Sequence, residues 1–272
     1  MRPLVSVCLC THNSSEYIVE TLTSVLSQTY KNMEVLICDN WSSDNTIEFI
    51  EKFHDPRIKI YSMACNIGAY NWLNYLIDHA KWKYIAIQDH DDLWLPSKIE
   101  KQVRFLEENK KYIGCWTNTC MWFEWDWKCF YYDFARECSW VIHPSLMFRN
   151  FRQHYNQTRE YMCDCYFMKY TLCNKKKIMY NLPECLTVHR IKLKLDNYSY
   201  SRFTFNKINL NTVFSVHNPF YALCMVWFEL CRKWFYPYMS IWSRYKFERF
   251  PFILKWYKIY DYKDFRLKNV SF

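Results

Sequence analysis

The chain has 272 residues, of which 51% are apolar, 21% aromatic and 23% charged, enough core material for one large domain plus an appendage and too little polarity for intrinsic disorder. It carries a net charge of +9 and only 2 Gly, so glycine-rich phosphate loops are excluded, and turns that need positive φ fall to Asn, Asp or Ser. The 14 Cys sit at irregular spacings, several inside apolar runs such as Val7-Cys8-Leu9-Cys10, and read as reduced thiols of a cytosolic protein. Zinc ligation is the alternative, weakened by the lack of C-x2-C doublets. The apolar run after Met1-Arg2-Pro3 is too short for a signal peptide, and no stretch reaches the roughly 18–20 apolar residues of a membrane span.

Pro3 to Cys10 is a continuous apolar run that stops at Thr11-His12-Asn13-Ser14-Ser15, which predicts a strand buried on both faces and a turn. A helix follows, with Ser15 as its cap and Ile18, Leu22, Val25 and Leu26 on one face. Glu34 to Cys38 predicts a second buried strand, ending at Asp39-Asn40-Trp41-Ser42-Ser43-Asp44, and Thr46 to Phe53 a second helix. Ile58 to Tyr61 reads as a third strand, Tyr70 to Ala80 as a third helix and Tyr84 to Gln88 as a fourth strand stopped by Asp89; a further helix starts near Pro96. This alternation predicts an α/β fold with a doubly wound, mostly parallel sheet. Ligands of such sheets bind beyond the carboxyl ends of the strands, where the Thr11, Asp39 and Asp89 clusters all fall.

Gln88-Asp89-His90-Asp91-Asp92 puts three carboxylates within four positions. Like charges so crowded call for a cation, and hard oxygen donors suit Mg²⁺ or Mn²⁺ rather than Zn²⁺. A solvated acidic turn ahead of the next helix is the plainer alternative.

Val5-Ser6-Val7-Cys8-Leu9-Cys10-Thr11-His12-Asn13, the Asp39 to Thr46 cluster, Asn66-x-Gly68 and Asp89-His90-Asp91-Asp92-Leu93-Trp94-Leu95-Pro96-Ser97-Lys98 form an ordered set. His143-Pro144-Ser145-Leu146-Met147-Phe148-Arg149 and Asn181-Leu182-Pro183-Glu184 extend it. The set resembles the family 2 glycosyltransferases over roughly residues 3 to 192. The resemblance implies a GT-A fold over 1–195 and an inverting, metal-dependent hexosyltransferase. Such an enzyme moves a sugar from a nucleotide diphosphate donor, UDP-linked, to a hydroxyl of a glycan or lipid-linked acceptor in cell-surface polysaccharide or glycolipid synthesis.

Carried over by position, the resemblance gives Thr11, His12, Asn13, Asp39, Asn66 and Asp89 to nucleotide-sugar binding. His12 stands where the family usually has Tyr, and Asp39 is the acid that meets the base, an Asx-type turn being its other reading. Asp89 faces the ribose and metal side, and Asp91 is the principal ligand of the Mn²⁺ or Mg²⁺ cofactor. Asp164 is the implied general base, with Glu160 in reserve and a surface carboxylate as the alternative. Cys163 replaces the family's usual Glu, Trp41 stands where Gly or a small residue is common, Leu73 where an Arg is common, and Lys192 where a His closes the motif. The intact Asp89-His90-Asp91 favours an active enzyme, whereas the altered Cys163-Asp164 pair and Trp41 favour a second reading, a catalytically silent relative that binds a nucleotide sugar or a protein partner.

Residues 196–272 hold 24 aromatics and 12 Lys+Arg against 5 Asp+Glu. Basic residues among Trp and Tyr suit the headgroup level of an anionic membrane, which predicts a basic, aromatic helical extension and peripheral contact with the inner face of a membrane. A helical appendage packed on the catalytic domain is the other reading, and nucleic acid is not an expected partner.

Overall fold

The computed structural model describes residues 4–62, 65–123, 128–132, 142–156, 163–173, 178–191 and 258–261, with single helical positions 210, 223, 226, 227 and 230. Its first half follows the predicted alternation: β1 (Val5–Thr11), α1 (Ile18–Leu26), β2 (Met33–Asp39), α2 (Thr46–Glu51), β3 (Ile58–Ser62), α3 (Ala69–His79) and β4 (Tyr84–Asp89). Then come β5 (Leu93–Trp94), α4 (Lys98–Glu108), β6 (Tyr112–Phe123), β7 (Lys128–Tyr132), β8 (Met147–Arg149), α5 (Cys163–Tyr166), β9 (Ile178–Ile191) and β10 (Lys258–Asp261). The strands join in the order β10-β7-β6-β8-β4-β1-β2-β3, with β9 on β6 and β5 on β9. Strands β3, β2, β1 and β4 run parallel, β8 enters antiparallel, and the sheet is mixed but mostly parallel.

The uninterrupted apolar runs arise because both faces of the sheet are covered. Val5, Val7 and Leu9 of β1, with Val35 and Ile37 of β2, pack on one side against Ile18, Leu22 and Val25 of α1 and Ile99, Val103 and Leu106 of α4. Cys8, Leu36 and Cys38 point the other way, onto Trp72, Leu76 and Ile77 of α3 and Phe167 and Met168 beyond α5. The period-2 alternation of a strand thus feeds two cores, and Cys8 and Cys38 serve as small apolar side chains, fully buried.

Ser15 does not cap α1: Tyr17 stands at that end, without a side-chain cap, and the backbone N–H groups of Tyr17 and Ile18 donate to the Ser14 carbonyl. The Ser15 N–H goes instead to Asp44 Oδ2 at 3.0 Å, because the neighbouring loop offers a carboxylate there. Of the two glycines, Gly68 adopts φ 85°, and Gly114 lets β6 press against β8, where a Cβ would meet the Met147 carbonyl oxygen at 2.7 Å. The extension supplies β10, an edge strand antiparallel to β7. Nearly all the rest of 196–272, on which the helical and membrane expectations fall, lies outside the described residues.

Lys98, at the start of α4, is fully buried, its ammonium 3.9 Å from the Trp94 ring centroid and donating to Gln102 Oε1 at 2.9 Å. Burial lowers its pKa to about 7. The unfolded chain holds that proton up to the ordinary lysine range, so between these values the unfolded state binds more protons and stability rises with pH. Relative to Lys98→Met, the wild type should gain about 2 kcal/mol from pH 7 to pH 9, read by urea denaturation at each pH.

Candidate active site

The parallel register aligns Thr11 of β1 with Asp39 of β2 and Cys10 with Asp89 of β4, so the three polar clusters share one edge of the sheet. Thr11 and Asp39 are almost wholly buried, and the Thr11 hydroxyl has no hydrogen-bond partner among the described residues. Asp39 accepts from the Ser42 N–H at 3.0 Å and the Ser42 hydroxyl at 2.5 Å, an Asx-type turn that holds both carboxylate oxygens in place. Each oxygen keeps a further lone pair, so the turn and a base contact are compatible.

Two loops that each lack glycine are laced together by side chains. The Asn13 N–H donates to Ser42 Oγ at 2.9 Å, the Ser43 N–H to Asn13 Oδ1 at 2.8 Å and the Ser14 N–H to Thr46 Oγ1 at 2.7 Å. Asp44 takes the Ser15 and Thr46 N–H groups and the Thr46 hydroxyl; these bonds outweigh its burial and lower its pKa to about 2. His12 lies exposed beside Asn13, at 3.4 Å between ring and amide. Asn66 is exposed too, and its Oδ1 accepts from the Asn40 amide and the Gly68 N–H, both at 2.9 Å. Asn40, to which the sequence assigned no role within its motif, is the centre of that loop: its Oδ1 takes the Ile67 N–H at 3.1 Å and the Trp72 indole at 2.5 Å.

Trp41 adopts φ 66° and is 60% exposed, so the left-handed position that a glycine would occupy freely is held by an indole in solvent. Asn13 (φ 46°) takes the other left-handed turn position, which suits an Asn better.

The acidic turn after β4 does not act as three equivalent carboxylates, which corrects the picture of one crowded triplet. Asp92 points inward, fully buried, accepting the Arg190 N–H on Oδ1 at 2.8 Å and the His189 ring on Oδ2 at 2.9 Å. Burial pushes Asp92 up against the pull of His189, whereas Asp92 overcomes burial to raise His189. The Arg190 guanidinium donates to the Asp91 carbonyl at 2.8 Å and to Glu20 at 2.6 Å, and lies over Tyr17 and Trp122. Thr21 donates to the His90 carbonyl at 3.0 Å and Gln88 to the Asp92 carbonyl at 2.7 Å, so the turn is pinned through its backbone.

Asp89 and Asp91 are left to face outward, with side chains 34% and 20% exposed. Among the described residues no three His, Cys, Asp or Glu converge on one point. Two hard carboxylates on a pinned turn fit a divalent ion that keeps water and takes its other ligands from phosphate oxygens, as Mg²⁺ does.

Asp164 lies on α5, which continues as a π-helical turn from Phe167 to Leu172, closed by the Cys173 N–H on the Met168 carbonyl at 3.0 Å. Such turns recur at functional sites. After burial, the charge of Asp164 is the largest influence raising the Tyr70 and Tyr155 hydroxyls, and Asp89 acts on the same two. Both carboxylates also raise His143, against its burial. Asp164 and Asp89 therefore both lie near this group of side chains. Cys163, where the family has Glu, is buried with its thiol 3.4 Å from the Asn156 carbonyl. Glu160 and Lys192 lie outside the described residues.

The profile of glycosyl transferase family 2 matches residues 6–175. The chain belongs to that family. Among its relatives, the Escherichia coli UDP-Glc:alpha-D-GlcNAc-diphosphoundecaprenol beta-1,3-glucosyltransferase WfaP is 40% identical over 111 residues, 41% of this chain and 44% of that protein. An uncharacterized glycosyltransferase of Haemophilus influenzae is 42% identical over 109 residues, 39% of this chain and 34% of the relative. The matched stretch thus spans less than half the length of these relatives. In fold the family 2 chain is similar to Staphylococcus aureus TarS 1–349 in complex with UDP-GlcNAc, with TM-score 0.64 at 15% identity over 78% of this chain and 65% of the other. It is also similar to the mannosyltransferase PcManGT of Pyrobaculum calidifontis in complex with GDP-Man and Mn²⁺, with TM-score 0.56 at 16% identity, covering 74% and 60%. The fold is that of the GT-A glycosyltransferases.

The strained tryptophan of this family 2 chain gives a direct test. Trp41→Gly should stabilise the protein by about 1 kcal/mol in denaturant unfolding, since glycine occupies positive φ without the Cβ clash.

Proposed function

We propose that this glycosyltransferase is an inverting, metal-dependent enzyme that moves a hexose from a UDP-linked donor to a hydroxyl of a lipid-linked glycan. What supports the reading is that the charges of Asp89 and Asp164 bear on the same three side chains, Tyr70, Tyr155 and His143, with His143 3.2 Å from Asp89, so that one carboxylate can serve the donor and the other the acceptor. Thr11 and Asp39 lie at the base end of the donor side, with the buried Thr11 hydroxyl and the remaining Asp39 lone pairs as hydrogen-bonding groups for a pyrimidine edge. His12, Asn13 and Asn66 line the loops around it. The Escherichia coli relative takes, by its name, a diphosphoundecaprenol-linked acceptor, which supports a lipid-linked acceptor here and peripheral contact with a membrane through 196–272.

Asp164 accepts the proton of the acceptor hydroxyl while that oxygen bonds to the anomeric carbon from the face opposite the nucleotide, and the bond from that carbon to the diphosphate oxygen breaks. The configuration at the anomeric carbon inverts. Asp91, with Asp89 beside it, would hold Mn²⁺ or Mg²⁺, which supplies positive charge to the departing diphosphate. The pinned backbone of Asp91 and Asp92 holds in place the turn that carries these carboxylates.

Calorimetry should find UDP binding in Mn²⁺ that is lost in chelator and in Asp91→Ala; equal binding in all three would overturn metal dependence. Asp164→Asn should lower kcat by about 10²–10⁴ with donor affinity nearly unchanged. A wild type that binds donor and turns over none with any lipid-linked glycan acceptor would instead favour the silent relative.

A further inference from the structure

His143 opens the short 3-10 turn His143–Ser145, and its imidazole bridges Asp89 at the end of β4 and Tyr155. Nδ1 lies 3.2 Å from Asp89 Oδ1 and Nε2 lies 2.8 Å from the Tyr155 hydroxyl. One neutral tautomer satisfies both contacts: Nδ1–H donates to the carboxylate, and Nε2 accepts the phenol proton. The turn is fixed independently of Asp89, because the Trp94 indole donates to the Pro144 carbonyl at 2.8 Å and the Gln102 amide to the Ser145 carbonyl at 2.9 Å.

Tyr155 is fixed as firmly. It is 2% exposed, and Asn74 of α3 takes its N–H at 2.7 Å and donates to its carbonyl at 2.9 Å. Its ring stacks on Phe167, with centroids 4.0 Å apart and planes at 19°, and Phe167 follows directly on the helix that carries Asp164. A carboxylate at a strand end has free rotation about its side-chain bonds, and a hydrogen bond from a donor already held in place selects one orientation.

Resting on the functional reading above, we propose that His143, anchored by Tyr155, is a positioning residue: it fixes the Asp89 carboxylate for the nucleotide and its cation. Through Phe167 it also ties the orientation of Asp89 to the helix bearing Asp164. Asn at position 143 preserves an N–H close to the Nδ1 position while losing the link to Tyr155, and Phe at position 155 preserves the stacked ring while losing the hydroxyl.

The test measures UDP affinity in Mn²⁺ by calorimetry, with melting temperature in parallel, for wild type, His143→Ala, His143→Asn, Tyr155→Phe, Asp89→Ala and the His143→Ala/Asp89→Ala double variant. His143→Ala should weaken binding about 10-fold to 100-fold, the scale of lost support behind a metal-site ligand. His143→Asn should recover to within about threefold of wild type, with Tyr155→Phe between the two. In the double variant the loss of His143 should add nothing to the loss of Asp89, whereas a role in folding alone would lower stability and leave affinity intact. Wild-type affinity in His143→Ala, no recovery in His143→Asn, or full additivity with Asp89→Ala would overturn the proposal. If His143→Ala fails to fold, His143→Asn and Tyr155→Phe decide it by the same affinities. A wild type that binds no nucleotide diphosphate would sink the functional reading and this one together, whereas a binding wild type matched by its His143 variants sinks this one alone.

Discussion

The buried carboxylate of Asp92 is the joint on which the site depends. It lies one residue beyond Asp91, and it accepts hydrogen bonds from the backbone and ring of two successive residues of β9, nearly a hundred positions later in the chain. Leaving a carboxylate fully buried costs several kcal/mol unless it is paired and hydrogen-bonded, and here both conditions are met. Its partners then act in turn: Arg190 reaches back to the Asp91 carbonyl and across to Glu20 of α1, with its guanidinium over the rings of Tyr17 and Trp122. The outward direction of Asp89 and Asp91 follows from the inward direction of Asp92.

The loops after β1 and β2 solve a related problem without glycine. Where a glycine-rich loop would approach a ligand through bare backbone, the loops after β1 and β2 are held by Asn13, Ser42, Ser43, Asp44 and Thr46, each short enough to satisfy a neighbouring N–H. The one badly matched residue is Trp41, strained and exposed. Rigidity here comes from side-chain hydrogen bonds between loops, so each loop depends on the other.

How much of this could be read from the sequence differs between the two halves of the domain. The elements from β1 to β4 were legible because every strand is a short apolar run between polar turns and every helix has one apolar face. The placement of Thr11, Asp39 and Asp89 at one edge followed from the parallel arrangement alone. The second half was not: β6 is buried from Tyr112 to Trp122 and β9 contains Pro183 and register shifts against β6, so neither shows a clean alternation. The inward turn of Asp92 was hidden for a different reason. Adjacent carboxylates look alike in sequence, and the groups that separate them, His189 and Arg190, arrive through β9 rather than through any local spacing. His143 stood inside a quoted motif, yet nothing in its sequence surroundings ties it to Asp89, 54 positions earlier.

Environment, not residue type, therefore assigns the work of the aspartates. Asp44 is drained of basicity by hydrogen bonds and holds two loops; Asp92 is buried and holds two strands; Asp39 is half-committed to Ser42 and keeps lone pairs for another donor. Asp89 and Asp91 have the exposure a cation needs, and their backbone is fixed by groups that do not compete for their oxygens. A site assembled in this way separates holding from acting. On the proposed reading the residues that would meet charge are relieved of structural duty by Asp44 and Asp92, so the loss of Asp91 or Asp164 would bear on binding and turnover, whereas the loss of Asp92 would remove the acceptor of the His189 ring and the Arg190 N–H and unfix the turn itself.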